Sequence, residues 1–158
     1  FVCTRFANVA NSNGSVIPFW LSEAEKENPL KLTDPEMNRL MFSRNDAAEL
    51  IWMAIASATE PSSNSFVLCK IMKNVNMLEL ANMIQNGNVE VVGKRAGEKL
   101  NETLISKKEL PYTHISDEGY VFISAEIDED SNSLEEEHSS ANAECMTTKE
   151  MEELVWQK

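Results

Sequence analysis

Short runs rich in β-branched and aromatic residues alternate with capped, apolar-striped stretches along this chain, and that alternation limits the fold more than any other feature. The clearest stretch begins at Ser43. Ser43 reads as an N-cap with Asp46 at N3, and Ala47, Leu50, Ile51, Ala54 and Ile55 fall at i, i+3, i+4, i+7 and i+8. This spacing predicts a core-facing helix, with Trp52 also packed. A second helix is expected from an Ser15 cap to about Glu25, since Pro18 is tolerated in a first turn. A third begins at Asn76, with Glu79 at N3, Met77, Leu80, Ala81 and Ile84 on one face, and Gly87 as its C′ residue. The last is expected over 147–157, with Thr147 as cap, Glu150 at N3 and a Met146–Met151 staple. Met151, Leu154 and Val155 form its apolar face, which docks on this chain or on a partner subunit. Between the helices, Phe1–Val9, Phe66–Ile71 and Val89–Val92 read as strands, Phe1–Val9 as one mostly buried strand. Leu30–Met37 is short and extended, Glu98–Ile105 reads as a short helix, and Tyr112–Ile127 as a hairpin or edge strand around Gly119. The order implies an α/β or α+β layout, with no internal repeat.

At 158 residues the chain can bury one sizeable core. Its net charge of −12 disfavours nucleic acid and anionic membranes as partners. That excess is local. Nine Asp or Glu and no Lys or Arg lie between Asp117 and Glu137, so the remainder can still carry a basic pocket. The acidic, Ser-rich segment Asp128–Ser140 reads as a flexible loop or linker. Cys3, Cys69 and Cys145 are odd in number, widely separated and without CxxC spacing, which suits a reducing, cytoplasmic setting with buried or free thiols. His114 and His138 lack metal-ligand spacing and read as solvated, and no metal site is expected. No apolar run reaches the length of a membrane span. The chain opens on Phe1 inside a strand-like run, which suggests a start partway through a larger protein.

No phosphate-cradling glycine loop, GxSxG or HExxH is present. The sequence therefore shows no self-sufficient active site. It shows separated places where a polar ligand could be held. Asn8 sits at the end of the first strand, where a buried amide needs partners. Arg39 lies in the apolar run N-R-L-M-F and must reach water, an acid or an anion. Arg95 and Glu98 lie in the turn-rich stretch V-E-V-V-G-K-R-A-G-E-K-L-N-E, following a strand. By composition that stretch is a solvated turn, because charged turn residues mostly face water. Lys99 and Glu102 read as surface charges. An arginine pair suits a diphosphate, since the guanidinium fork matches phosphate geometry.

Three ordered segments add a resemblance. T-R-F-A-N-V-A-N-S-N-G-S-V-I-P is similar to the R-Y-G-N-V…S-x-G-S-V-I-P signature of the nucleotide-sugar dehydratases of polysaccharide biosynthesis. L-T-D-P-E-M-N-R-L-M-F-S resembles their I-T-D-P-x-M-T-R-F, and V-V-G-K-R-A-G-E-K-L-N-E-T-L-I resembles I-I-G-x-R-P-G-E-K-L-H-E-x-L. These are extended short-chain dehydrogenase/reductases, typified by UDP-N-acetylglucosamine 4,6-dehydratase. The match covers roughly residues 1–109, and the tail resembles the C-terminal extension of the capsule-synthesis branch. The resemblance implies an α/β fold that is the C-terminal half of such an enzyme: the last strands of a Rossmann-type sheet plus the small substrate-binding subdomain. The N-terminal half, absent here, would bind NAD(P) and supply the catalytic Tyr-x-x-x-Lys. Carried over residue by residue, Asn8 would face the diphosphate of a UDP-sugar, and Ser15 and Val16 would lie near the nucleotide. Arg39 and Arg95 would meet the phosphates, and Glu98 the ribose hydroxyls. Phe6, Ala7, Ala96 and Asn101 depart from the family pattern and leave substrate choice open.

The organisation implied is a nucleotide-sugar-binding part over 1–111 and a C-terminal extension over 112–158, in a full-length protein that is a homo-oligomer. Three functions stay open: a portion of a UDP-sugar 4,6-dehydratase that is inactive alone, a 4-epimerase or reductase/epimerase of the same family, or a non-catalytic acidic interaction module.

Overall fold

Where the sequence suggests one strand over Phe1–Val9, the chain makes two in different sheets. A computed structural model describes residues 1–59, 65–126 and 132–156. In it β1 (Val2–Thr4) and β2 (Asn8–Val9) are separated by residues 5–7. A cation in an apolar run needs partners, and Arg5 reaches the Leu104 carbonyl and the Glu109 carboxylate, each at 2.8 Å. That hydrogen-bonded pair holds the Glu109 carboxyl down at about 2.

Helix α1 (Val16–Glu25) leads to β3 (Leu30–Leu32) and β4 (Asn38–Phe42). Helix α2 (Arg44–Ala58) starts with the full capping box: Ser43 Oγ accepts from the Asp46 amide, and the Asp46 carboxylate accepts from the Ser43 amide. Then come β5 (Phe66–Lys70), β6 (Lys73–Asn76) and α3 (Met77–Ile84), capped by Asn76 Oδ1. β7 (Val89–Val91), β8 (Thr103–Ile105), the hairpin of β9 (Thr113–Ile115) and β10 (Tyr120–Ile123), β11 (His138–Ser139) and α4 (Thr148–Trp156) complete the order.

The fold is mixed α/β. One sheet has the order β1-β5-β10-β9, with β1 parallel to β5 and the other pairs antiparallel. A second, β2-β4-β6, pairs β2 parallel and β6 antiparallel to β4. β3 with β7 and β8 with β11 form two-stranded pieces. Two apolar cores result. One gathers Ile17, Trp20, Leu30, Leu80 and the α4 face Met151, Leu154 and Val155. The other gathers Leu40, Leu50, Leu68, Ile105 and Val121. Residues beyond 112 thus enter both cores, and α4 docks on this chain. No helix among the described residues is long and apolar enough to cross a membrane.

Four local expectations give way to tertiary packing. On α2 only Leu50 and Ala54 are buried; Ile51, Ile55 and Trp52 face outward, Trp52 at 73 % exposure. The sheet covers a narrower strip of α2 than its apolar stripe offers. Glu98–Ile105 is not a helix. Gly97 turns the chain at φ 82°, and Thr103–Ile105 is drawn into pairing with β11. His138 is buried rather than solvated, its Nε2 accepting from the Met72 amide, and burial pushes its pKa below the ordinary histidine value. The expected loop over Asp128–Ser140 includes residues 128–131, which lie outside the described residues, but its end is packed: Ser139 and Ser140 are buried.

Candidate functional site

A cavity of about 780 Å³ opens between the starts of β2 and α1, the β3 segment and the Gly93–Gly97 turn. Its apolar wall comes from Ile17, Trp20, Met37 and Met77, all buried in the first core. Trp20 is held in place by its indole N–H, which donates to the Lys31 carbonyl at 3.3 Å. The cavity's polar lining comes from Asn8, Ser15, Arg39, Arg95 and Glu98, together with Ser12, Lys31 and Thr33. Val16 also lines it, as the first residue of α1. All six residues named from the sequence therefore meet around one space.

Each arrives differently. Asn8 is on β2, and its amide donates to the Leu40 carbonyl (3.0 Å) and to Glu102 Oε2 (3.2 Å). Arg39 is on β4 and only 9 % exposed. Its Nη1 donates to the Asn38 and Leu100 carbonyls at 2.9 and 3.0 Å. Its Nε lies 3.4 Å from Glu102, and its Nη2 lies 4.0 Å from Glu98. The buried cation is thus met by two carboxylates, as an arginine in an apolar run requires. Arg95 is exposed, and among the described residues its guanidinium forms no ion pair. Glu98 ties the turn together: Oε2 accepts from the Arg95 amide at 3.1 Å and Oε1 from the Thr33 hydroxyl at 3.3 Å.

Ser15 is the unusual member. It occupies the N-cap of α1 with extended backbone, yet its hydroxyl makes no capping bond and is buried without a partner. The sequence removes one donor. The N3 residue of α1 is Pro18, which has no amide hydrogen, so only the Ile17 amide at N2 is left to serve the cap, and it does not. A buried hydroxyl with no partner at a helix N-terminus, where backbone N–H groups and the positive end of the dipole also point, is suited to an anionic or hydroxylated ligand.

Glu102 is the residue the sequence reading missed. It reads as a surface charge, but it contacts both Asn8 and Arg39. The need of those two buried polar groups for a common acceptor was the available signal. A second, shallower cavity of about 540 Å³ continues on the far side of Arg39, lined by Phe6, Gly97, Lys99 and Glu102. Arg39 and Glu98 border both spaces. Among the described residues no cluster of His, Cys, Asp or Glu is arranged to hold a metal.

Fold and site together define a mixed α/β protein with a cavity that is apolar on one side and bordered on the other by two strand-borne polar groups and a helix N-terminus. The chain belongs to the polysaccharide biosynthesis protein family, whose model matches residues 1–123. It is 37 % identical over 118 residues to the capsular polysaccharide biosynthesis protein CapD of Staphylococcus aureus, covering 70 % of this chain and 19 % of that one. It is 30 % identical over 118 residues to a UDP-glucose 4-epimerase of Rickettsia bellii, covering 70 % of this chain and 33 % of that one. The chain therefore spans between a fifth and a third of the length of these relatives. Among solved structures, Pen from Bacillus thuringiensis shares the fold with a TM-score of 0.80 at 22 % identity, over all of this chain and 49 % of that one.

The resemblance also implies NAD(P), and the residues present do not fit it. The glycines Gly14, Gly87, Gly93, Gly97 and Gly119 are isolated turn residues with positive φ. None forms the glycine-rich strand–turn–helix that lets a backbone approach a dinucleotide pyrophosphate.

Proposed function

We propose that this chain grips the nucleotide diphosphate of a UDP-sugar as part of a nucleotide-sugar 4,6-dehydratase of polysaccharide biosynthesis. The observation that carries the reading is a convergence. The unpartnered Ser15 hydroxyl, the exposed Arg95 guanidinium and the braced Arg39 all border one cavity with an apolar wall. A base fits against Trp20, Met37 and Met77, since a flat, largely apolar ring gains by leaving water. The phosphates fit where two guanidinium groups and a helix N-terminus meet, despite the chain's net charge of −12. Glu98 is an acceptor placed for ribose hydroxyls. Asn8, whose amide hydrogens already go to Leu40 and Glu102, acts chiefly by bracing Glu102.

In this reading the four-stranded and three-stranded sheets are the late strands and substrate subdomain of an extended short-chain dehydrogenase, and NAD(P) is held by residues outside these 158. On the same reading, the groups that line the cavity bind and orient the nucleotide. The isolated chain is therefore expected to bind without turnover, and dehydratase activity in it would overturn that part. A relative named UDP-glucose 4-epimerase supports a second reading, with the same grip serving epimerisation.

Calorimetry with UDP and uridine tests the grip. UDP is expected to bind at least about tenfold more tightly than uridine, as charge-assisted bonds to phosphate require. Arg95→Ala should remove most of that advantage. Equal affinity for the two ligands, or no binding by a well-folded chain, would reject the reading.

A further inference from the structure

One side chain remote in sequence from the cavity is wired to its buried arginine. Ser140, wholly buried, lies in the segment that follows β11. Its amide donates to the Glu102 carbonyl at 2.8 Å, and its hydroxyl accepts from the Glu102 amide at 2.9 Å. The same hydroxyl donates to the Asn38 carbonyl at 3.0 Å. Asn38 and Glu102 are two of the groups that fix Arg39: the Asn38 carbonyl accepts from Nη1, and the Glu102 carboxylate faces Nε. A third, the Leu100 carbonyl, takes both Arg39 Nη1 and the Asn38 amide. Ser140 thus clamps the β4 backbone and the Glu102 backbone to each other, with the arginine held between their acceptors.

We propose that Ser140 is a positioning residue: its hydroxyl sets the orientation of Arg39, and through it the cavity's affinity for a phosphate-bearing ligand. The carbonyl of Asn38 has two donors, and each constrains where the other can sit. Loss of the hydroxyl frees the Glu102 amide and leaves the Leu100 carbonyl as the main tie between β4 and the 100–102 segment, so the two can shift more easily. The guanidinium fork then loses its fixed direction, and a fork is useful to a phosphate only when its direction is fixed. The C-terminal segment would in this way control the site without touching its ligand. The ligand half of the proposal rests on the nucleotide reading above; the arginine half does not.

The test uses the whole chain with Ser140→Ala. NMR of the Arg39 Nε–H group, assigned with Arg39→Lys, is recorded without ligand. Exchange of that proton with water is expected to quicken about tenfold or more in Ser140→Ala, as for a bond whose opening has become easier. The Trp20 indole N–H signal, bonded to the Lys31 carbonyl and in contact with neither Ser140 nor Glu102, should not move. An unchanged Arg39 signal, or equal changes at Trp20, overturns the proposal. In calorimetry, Ser140→Ala should weaken UDP about tenfold and leave uridine unchanged; equal loss of both overturns it as well. Should the unaltered chain bind no UDP, the nucleotide reading fails, and the Arg39 exchange alone decides the role of Ser140.

Discussion

Ser15 precedes α1 with φ −76° and ψ 164°, and Ser43 precedes α2 with φ −76° and ψ 166°. The backbones are alike and the hydroxyls are not. Ser43 Oγ takes the Asp46 amide, and Asp46 in turn takes the Ser43 amide and Lys70. Ser15 Oγ takes nothing, and Pro18, with no amide hydrogen, stands where Asp46 stands in α2. The packing of the two helices differs as well. α2, with the better cap and longer stripe, turns Ile51, Trp52 and Ile55 outward, while α1 buries Ile17 and Trp20 against the cavity. A helix start can thus complete its own cap or leave a hydroxyl unpartnered, and the residue at N3 is one difference between the two.

The largest test of that contrast lies in the two tryptophans. Trp20→Ala should cost about 3–5 kcal/mol in urea unfolding, as loss of a buried aromatic does. Trp52→Ala should fall within about 0.5 kcal/mol. Equal effects would mean that α1 and α2 are packed alike.

The caps give the next largest effect. Ser43→Ala should destabilise by about 1–2 kcal/mol, since it removes a formed cap. Ser15→Ala should change stability by less than about 0.5 kcal/mol. It should nevertheless weaken UDP in calorimetry, because its hydroxyl is available to the ligand and not to the helix.

Pro18→Ala sharpens the cause. With an amide restored at N3, Ser15 gains a helix partner, and a Ser15→Ala change made on that background should cost about 1 kcal/mol more than in the unaltered chain. A double-mutant cycle with no coupling would show that proline is not the reason for the free hydroxyl.

The smallest effect is one of pH. Burial raises the Asp46 pKa, but the bonds from Ser43 and Lys70 outweigh it, and the carboxyl lies below its ordinary 3.8. A lowered folded pKa contributes stability above the unfolded value and loses it as pH falls through the folded one. The start of α2 should therefore fray on acidification from about pH 4, seen as faster amide exchange at 44–48. α1 has no acidic residue in its first turn and should not respond in the same way.

Much of this was readable in the chain. Ser43 with Asp46, Asn76 and Thr147 marked three helix starts because capping depends on neighbours three residues apart. The hairpin around Gly119 followed from alternation and one glycine with φ 80°. The family motifs brought Asn8, Ser15, Val16, Arg39, Arg95 and Glu98 forward, and they share a cavity. Glu102 and Ser140 escaped notice because each is an ordinary polar residue whose partner lies 38 positions away.

The sequence by itself determined what short-range physics controls: where the capped helices begin, where glycine turns the chain, and that Arg39 needs water, an acid or an anion, though it also suggested a Ser15 cap that does not form. Tertiary structure alone decided that Phe1–Val9 divides between two sheets, that half of the α2 stripe stays outside, that residues 103–105 extend, and that the C-terminal segment braces Arg39. These outcomes depend on which distant groups compete for one carbonyl or one patch of apolar surface. Local spacing has no access to that competition.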